Sequence, residues 1–206
     1  PLMVSCSPSP RAAVARGCAD AEAACLQGKA TVLMSTSRGE ITIEVDGDAA
    51  PLTAGNFVDL VRRGTYDGTM FHRVVREPVP FVVQGGDPQS SDRSVPLSQL
   101  GTGSFVDPDN GVARMIPLEL SFQGEDAPRY SRVSSNPSEL QDLVLTHERG
   151  AVAMARSQAP DSASAQFYIA LRPLPELDGR YAVFGRVVKG LDLSLIHISE
   201  PTRPRI

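Results

Sequence analysis

The chain has 206 residues, 41% hydrophobic and 21% charged, with a formal net charge of -4 and a sequence pI near 5.4. That composition fits one folded domain with flanking extensions rather than a disordered chain. No lysine- or arginine-rich run appears, so the footprint of a nucleic-acid groove is absent, and no apolar stretch approaches the roughly 18–20 residues that a membrane-spanning helix needs.

Residues 1–29 are rich in Ala, Ser, Pro and Cys and read as an exported tether. Within it, Leu2-Met3-Val4-Ser5-Cys6 ahead of a Ser/Pro-rich segment resembles the end of a bacterial lipoprotein signal, which makes Cys6 a candidate for lipidation. An ordinary export remnant or a plain arm is the other reading. Cys18 and Cys25 are close enough in sequence to bridge in an oxidising compartment, with two free thiols as the alternative. Neither lies in a C-x-x-C setting, so a redox role is weakly supported, and no metal-ligand spacing occurs anywhere.

The domain is expected to begin at Ala30. ATVLMSTSRGEITIEV reads as two strands around a Ser37-Arg38-Gly39 turn, with Ile41, Ile43 and Val45 alternating against Thr42 and Glu44. TAGNFVDLVRRG then reads as an amphipathic helix capped by Thr53 at its start and by Gly64 at its end. Short apolar runs follow at MFHRVV, PFVVQGG, GAVAMAR, SAQFYIAL and YAVFGRVV, separated by Gly, Pro, Asp and Ser. Many strands with few helices argue for a mainly β fold, a closed or nearly closed antiparallel barrel. Residues of about 88–146 form a long Pro-rich segment whose one strand-like piece is RMIPLEL. The closing residues, about 194–206, break the pattern abruptly and read as a non-native tail, a flexible natural terminus being the alternative.

Four motifs in order, FHRVV…PFVVQGGDP, HERGAVAMAR, SAQFYIA and ELDGRYAVFGRVVKG, resemble the cyclophilin-type peptidyl-prolyl cis-trans isomerases. The Pro-rich insertion and RYAVFG are similar to the divergent cyclophilins of cyanobacteria and the thylakoid lumen. The resemblance runs from about Ala30 to about Asp192. It implies a cyclophilin-like antiparallel β-barrel over residues 30–193 with a flanking α-helix. The family's second helix and last strand are missing if the tail is non-native, which would leave this chain less stable than one with its natural end. It implies a monomer that uses no cofactor, binds proline-containing segments of client proteins and works in the periplasm or thylakoid lumen.

The chemistry implied is rotation about an X-Pro bond, which faces a barrier of roughly 18–20 kcal/mol and exchanges uncatalysed over tens to hundreds of seconds. A guanidinium suits it: always charged, with several fixed donors, it can grip a prolyl nitrogen that has lost amide conjugation. By resemblance Arg73 is that group, Gln84 orients it and Phe81 lies beside it. Val82, Tyr168, Leu177 and Tyr181 line the apolar pocket, while Gln166 and the backbone around Ala155, Arg156 and Ser157 form the extended-peptide groove. The bland readings are a surface arginine, ordinary core for Phe81 and Val82, a turn at Gln84, and structural histidines at His72 and His147.

The chain departs from the family at Glu176, where Trp is frequent, and at Val82, Arg156, Tyr168 and Tyr181. The REPVP stretch adds bulk between Arg73 and Phe81. A Pro-peptide binding, chaperone or assembly module with little turnover is the competing expectation.

Overall fold

The computed structural model describes residues 17–18, 21 and 25–191, so Cys6 and the 194–206 tail lie outside the described residues. Lys29–Thr36 (β1) and Gly39–Asp46 (β2) form a hairpin in full register, Lys29 opposite Asp46 and Thr36 opposite Gly39. Alternation along β2 sends Ile41, Ile43 and Val45 into the core with no exposed surface.

The helix α1 spans Pro51–Arg62, and here the structure corrects the sequence reading. Its cap position is Ala50, and Thr53 lies buried inside the first turn. Pro51 fixes the helical φ two residues before the threonine, as suits a first-turn proline. The free N–H groups of Leu52 and Thr53 are bound by the Glu119 carboxylate at 3.1 and 2.8 Å. At the other end Gly64 has φ +69°, and Gly64 and Thr65 donate back to Val61 and Leu60, both at 3.0 Å, as its glycine predicts. Phe57 points from α1 into a ring cluster with Tyr66, Phe167 and Phe184, centroids 4.9–5.3 Å from its own.

The later apolar runs give Arg73–Val74 (β3), Val82–Gly85 (β4), Ala151–Met154 (β7), Phe167–Ala170 (β8) and Val183–Lys189 (β9). With β1 and β2 they make one seven-stranded antiparallel sheet in the order β1-β2-β9-β7-β8-β4-β3. The fold is mainly β, as expected. Among the described residues the end strands β1 and β3 do not pair with each other.

The insertion is a packed unit. Glu119–Leu120 (β5) pairs with Arg129–Tyr130 (β6), and Pro137–Gln141 forms a short helix, α2. Only the last two residues of RMIPLEL are strand: Pro117 has no N–H to offer a ladder, and Ile116 before it makes a single bridge to Ala163. Leu118, Leu120, Phe122 and Leu143 cluster with Ala182. Buried Arg114 ties the insertion to α1 through Asp59 at 2.6 Å, with Asp107 at 3.5 Å and the Phe105 ring beneath it.

Order begins ahead of Ala30. Leu26 packs on the main core and donates to Pro51, and a disulfide joins Cys18 to Cys25 with Cα atoms 5.6 Å apart.

Candidate active site

Strand alternation creates two faces. Val83, Ile169 and Val152 sit opposite one another on β4, β8 and β7 and are fully buried in the barrel core. The adjacent row, Arg73-Gln84-Tyr168-Ala153, therefore runs across β3, β4, β8 and β7 on the other face. Two residues along, Val82 and Gln166 share that face. Sequence positions 73, 82, 84, 166 and 168 are thus brought together by register alone.

Along this row runs a directed hydrogen-bond relay. Arg73 donates from Nη1 to Gln84 Oε1 at 3.3 Å, Gln84 Nε2 donates to Gln166 Oε1 at 3.1 Å, and Gln166 Nε2 donates to the Gly103 carbonyl at 2.8 Å. Each amide has one orientation compatible with both neighbours, so the oxygen of Gln84 faces the guanidinium. Gly103 is itself pinned: buried Asp87 accepts from the N–H groups of Gly101 and Gly103 at 2.6 and 3.3 Å.

Beside the guanidinium lies an apolar wall. Val82, Tyr168, Ala153, Leu174 and Val183 form its buried part, with Phe81, Leu177, Tyr181 and Ala155 packed partly exposed against it. Every wall residue that the sequence nominated is here. The Tyr168 hydroxyl is 2.8 Å from His147 Nε2, whose Nδ1 is 2.7 Å from Asp178 Oδ1. Burial pushes the Tyr168 hydroxyl well above its ordinary pKa, so it stays protonated. With Nδ1–H directed at Asp178, Nε2 accepts a hydrogen bond from the Tyr168 hydroxyl. His147 thus locks the ring of a wall residue. His72 lies next to Arg73 in the chain, and burial pulls its pKa below the ordinary value, so it adds no second cation beside the arginine.

The departures have physical consequences. Arg156 folds back: Nε and Nη2 donate to the Arg180 carbonyl at 3.0 and 2.6 Å, and Nη1 donates to the Ser157 and Gln158 carbonyls at 2.9 and 3.1 Å. Its guanidinium also covers the Tyr181 ring at 4.7 Å. Glu176 is exposed and pairs with Arg172, which stands 5.9 Å over the Phe81 ring. The REPVP insertion forms the tip of the β3–β4 hairpin. Val75 N–H donates to Val82 and Phe81 N–H to Val75, both at 2.9 Å, so the ladder carrying Arg73 and Phe81 is intact while residues 77–80 project into solvent. The peptide Glu77-Pro78 in that tip is cis.

Sequence reasoning missed Gly103, Asp87 and Asp178. Their contacts cross long separations from irregular loops, and no local period marks them. Among the described residues no group of three His, Cys, Asp or Glu side chains converges to hold a metal.

The family model described as "Cyclophilin type peptidyl-prolyl cis-trans isomerase/CLD" matches residues 31–202. The chain is 40% identical over 185 residues to a protein of Synechocystis named as a thylakoid lumen peptidyl-prolyl cis-trans isomerase, covering 85% of this chain and 45% of that protein. It thus spans less than half the length of that relative. It is 34% identical over 179 residues to a peptidyl-prolyl cis-trans isomerase of Schizosaccharomyces pombe, covering 85% of this chain and 92% of the relative. A solved cyclophilin-type isomerase of Cryptosporidium parvum has the same fold, with TM-score 0.59 and 23% identity over 86% of this chain and 94% of that one. By sequence, fold and the ordered residues of its outer sheet face, the chain belongs to the cyclophilin-type peptidyl-prolyl cis-trans isomerase family.

Proposed function

We propose that this protein catalyses cis–trans isomerisation of X-Pro bonds in client proteins, with no cofactor. One observation carries the reading: the relay from Gly103 through Gln166 and Gln84 holds a guanidinium beside an apolar wall. A proline ring buried against Phe81, Val82, Tyr168, Leu177 and Tyr181 presents its amide to Arg73. A planar amide nitrogen has no lone pair to offer; a twisted one does. A rigidly held donor at that nitrogen binds the twisted form better, and this difference lowers the barrier. Gln84 and Gln166 supply the rigidity. Ala155 and Arg156 offer main-chain groups to the flanking peptide, which binds as an added extended segment.

The compartment is the thylakoid lumen or the periplasm. Both the Cys18–Cys25 disulfide, which persists in oxidising surroundings, and the name of the Synechocystis relative support this. Tethering through a lipid on Cys6 is the finer reading, supported by the Leu2–Cys6 pattern; the protein acts as a monomer.

The test is isomerisation of an Ala-Pro peptide by wild type and Arg73→Ala. Loss of one electrostatic donor predicts a fall of about 10²–10³ in kcat/KM with the fold retained. A wild type no faster than buffer would replace this reading with a Pro-peptide binder of little turnover.

A further inference from the structure

A cavity adjoins the apolar wall. It has a volume of about 440 Å³ and shares Gln84, Gln166 and Ala155 with the site just described. Its chemistry differs from the wall's. Hydroxyls of Thr102, Ser157, Ser162 and Ser164 line it, Arg156 is the one charged residue among its lining, and no carboxylate lines it. The neighbouring acid, Asp161, precedes Ser162 in the chain but does not line the cavity.

Arg156 is the informative group. All four of its hydrogen bonds go to neutral main-chain carbonyls, and none of the ion pairs among the described residues includes it. Of its five N–H donors one is left over. A partly exposed guanidinium with no carboxylate partner keeps its charge available to a ligand, and the cavity that Arg156 helps to line is large enough for a side chain. Ser164 accepts from Phe105 N–H at 2.9 Å, and its own proton is directed to no acceptor among the described residues. The cavity thus combines a cation without an ion-pair partner and an available hydroxyl proton; the nearest buried carboxylate, Asp87, lies behind Gly101 and Gly103 and is occupied by the N–H groups of Gln89, Gly101 and Gly103.

Position follows from strand geometry. An extended peptide repeats its side-chain direction every second residue, so a proline seated on the apolar wall directs the side chain two residues away toward the same sheet face. Gln84 and Gln166 border both places. We propose that this cavity accepts an acidic side chain two positions from the proline, so that the preferred substrates are Pro-segments carrying Asp or Glu at that spacing. The proposal rests on the isomerase reading and adds to it a substrate class. In a chain of net charge -4, the preference is local and opposes the overall field.

The experiment uses the full chain and peptides with Glu, Gln or Lys two residues before, and in a second set two residues after, one proline. Exchange is measured by NMR without a coupling protease. In one of the two sets kcat/KM for Glu is expected to exceed that for Lys by about 5–10-fold at low salt, mostly through KM, with Gln between them. The ratio should shrink toward about 2 in 0.5 M salt, where the Debye length falls to a few ångström. Arg156→Lys should keep the ordering and Arg156→Gln should bring the ratio to about 1, each ratio being taken within one variant so that general damage cancels. Equal rates for Glu, Gln and Lys in both sets overturn the proposal, as does a Glu preference that survives in Arg156→Gln. Failure to accelerate any peptide overturns the isomerase reading instead.

Discussion

Gly103 has no side-chain chemistry, yet the relay that orients Arg73 ends on its carbonyl. A Cβ here would lie 2.1 Å from Asp87 Oδ1 and 2.8 Å from Gln89 Nε2, closer than any van der Waals contact. Gly103→Ala must therefore displace the Asp87 carboxylate that pins this loop, which loosens the Gly103 carbonyl and leaves Gln166 and then Gln84 free to rotate. We expect kcat/KM to fall about tenfold, with a stability cost of about 1–3 kcal/mol from overpacking. Isomerisation kinetics beside thermal unfolding check this, and a folded variant with wild-type kcat/KM would show that the relay is dispensable. Arg73, Gln84 and Phe81 could be named from the sequence because they lie within one dense motif that resembles the family; the structure sets Arg73 opposite Gln84 on paired strands and Phe81 just ahead of β4. Gly103 could not be named, because its partner is 63 residues away and no periodicity connects them. Tyr168 was legible as a wall residue, but the use of its hydroxyl became visible only with His147 placed against it.

Helix α1 shows the same division one level up. Its apolar face and its Gly64 terminus follow from local pattern, whereas its true N-terminal cap comes from the insertion. Glu119 is 2% exposed and accepts from Leu52, Thr53 and the Tyr130 hydroxyl. Thr53 looked like the cap because a threonine before an apolar-periodic run usually is one; a carboxylate arriving from 66 residues away cannot be read from that run. Replacing Glu119 by Gln turns an amide NH₂ toward N–H and O–H donors, at an expected cost of about 1–3 kcal/mol, or roughly 2–12 °C in Tm at 2–4 °C per kcal/mol. The pH dependence has a definite sign. Burial raises the Glu119 pKa above its ordinary value, more than its hydrogen-bond donors lower it. The folded state then binds the proton more tightly than the unfolded state. The stability this group contributes is fully present below the unfolded carboxyl value and is lost as pH rises through the folded one. The gap in Tm between wild type and Glu119→Gln should accordingly be wider near pH 4 than near pH 7. A gap that widens toward neutral pH would mean that the carboxylate, not the acid, is the form the helix end prefers.

At the scale of the molecule, the N-terminal segment, the insertion and the barrel are joined in series away from the face that carries Arg73. Cys18 Sγ lies 4.0 Å from the Tyr130 hydroxyl, Tyr130 donates to Glu119 at 2.9 Å, and Glu119 holds the start of α1. The Arg73 relay runs instead through β3, β4 and β8 to Gly103, and neither sulfur contacts any member of it. The bridged cysteines are seven residues apart in sequence, so loop-closure entropy limits the contribution of their disulfide to about 2–3 kcal/mol. Reduction, or Cys25→Ser, should lower Tm by roughly 4–12 °C at most, since each kcal/mol is worth about 2–4 °C in a chain of this size. Well below Tm, kcat/KM should be the same with and without reductant. Loss of activity on reduction while the fold persists would mean that this chain of contacts reaches the Arg73 face, making the disulfide a switch rather than a brace. Constant activity with a lower Tm would assign the disulfide a purely structural role, consistent with sulfurs placed outside any reactive motif.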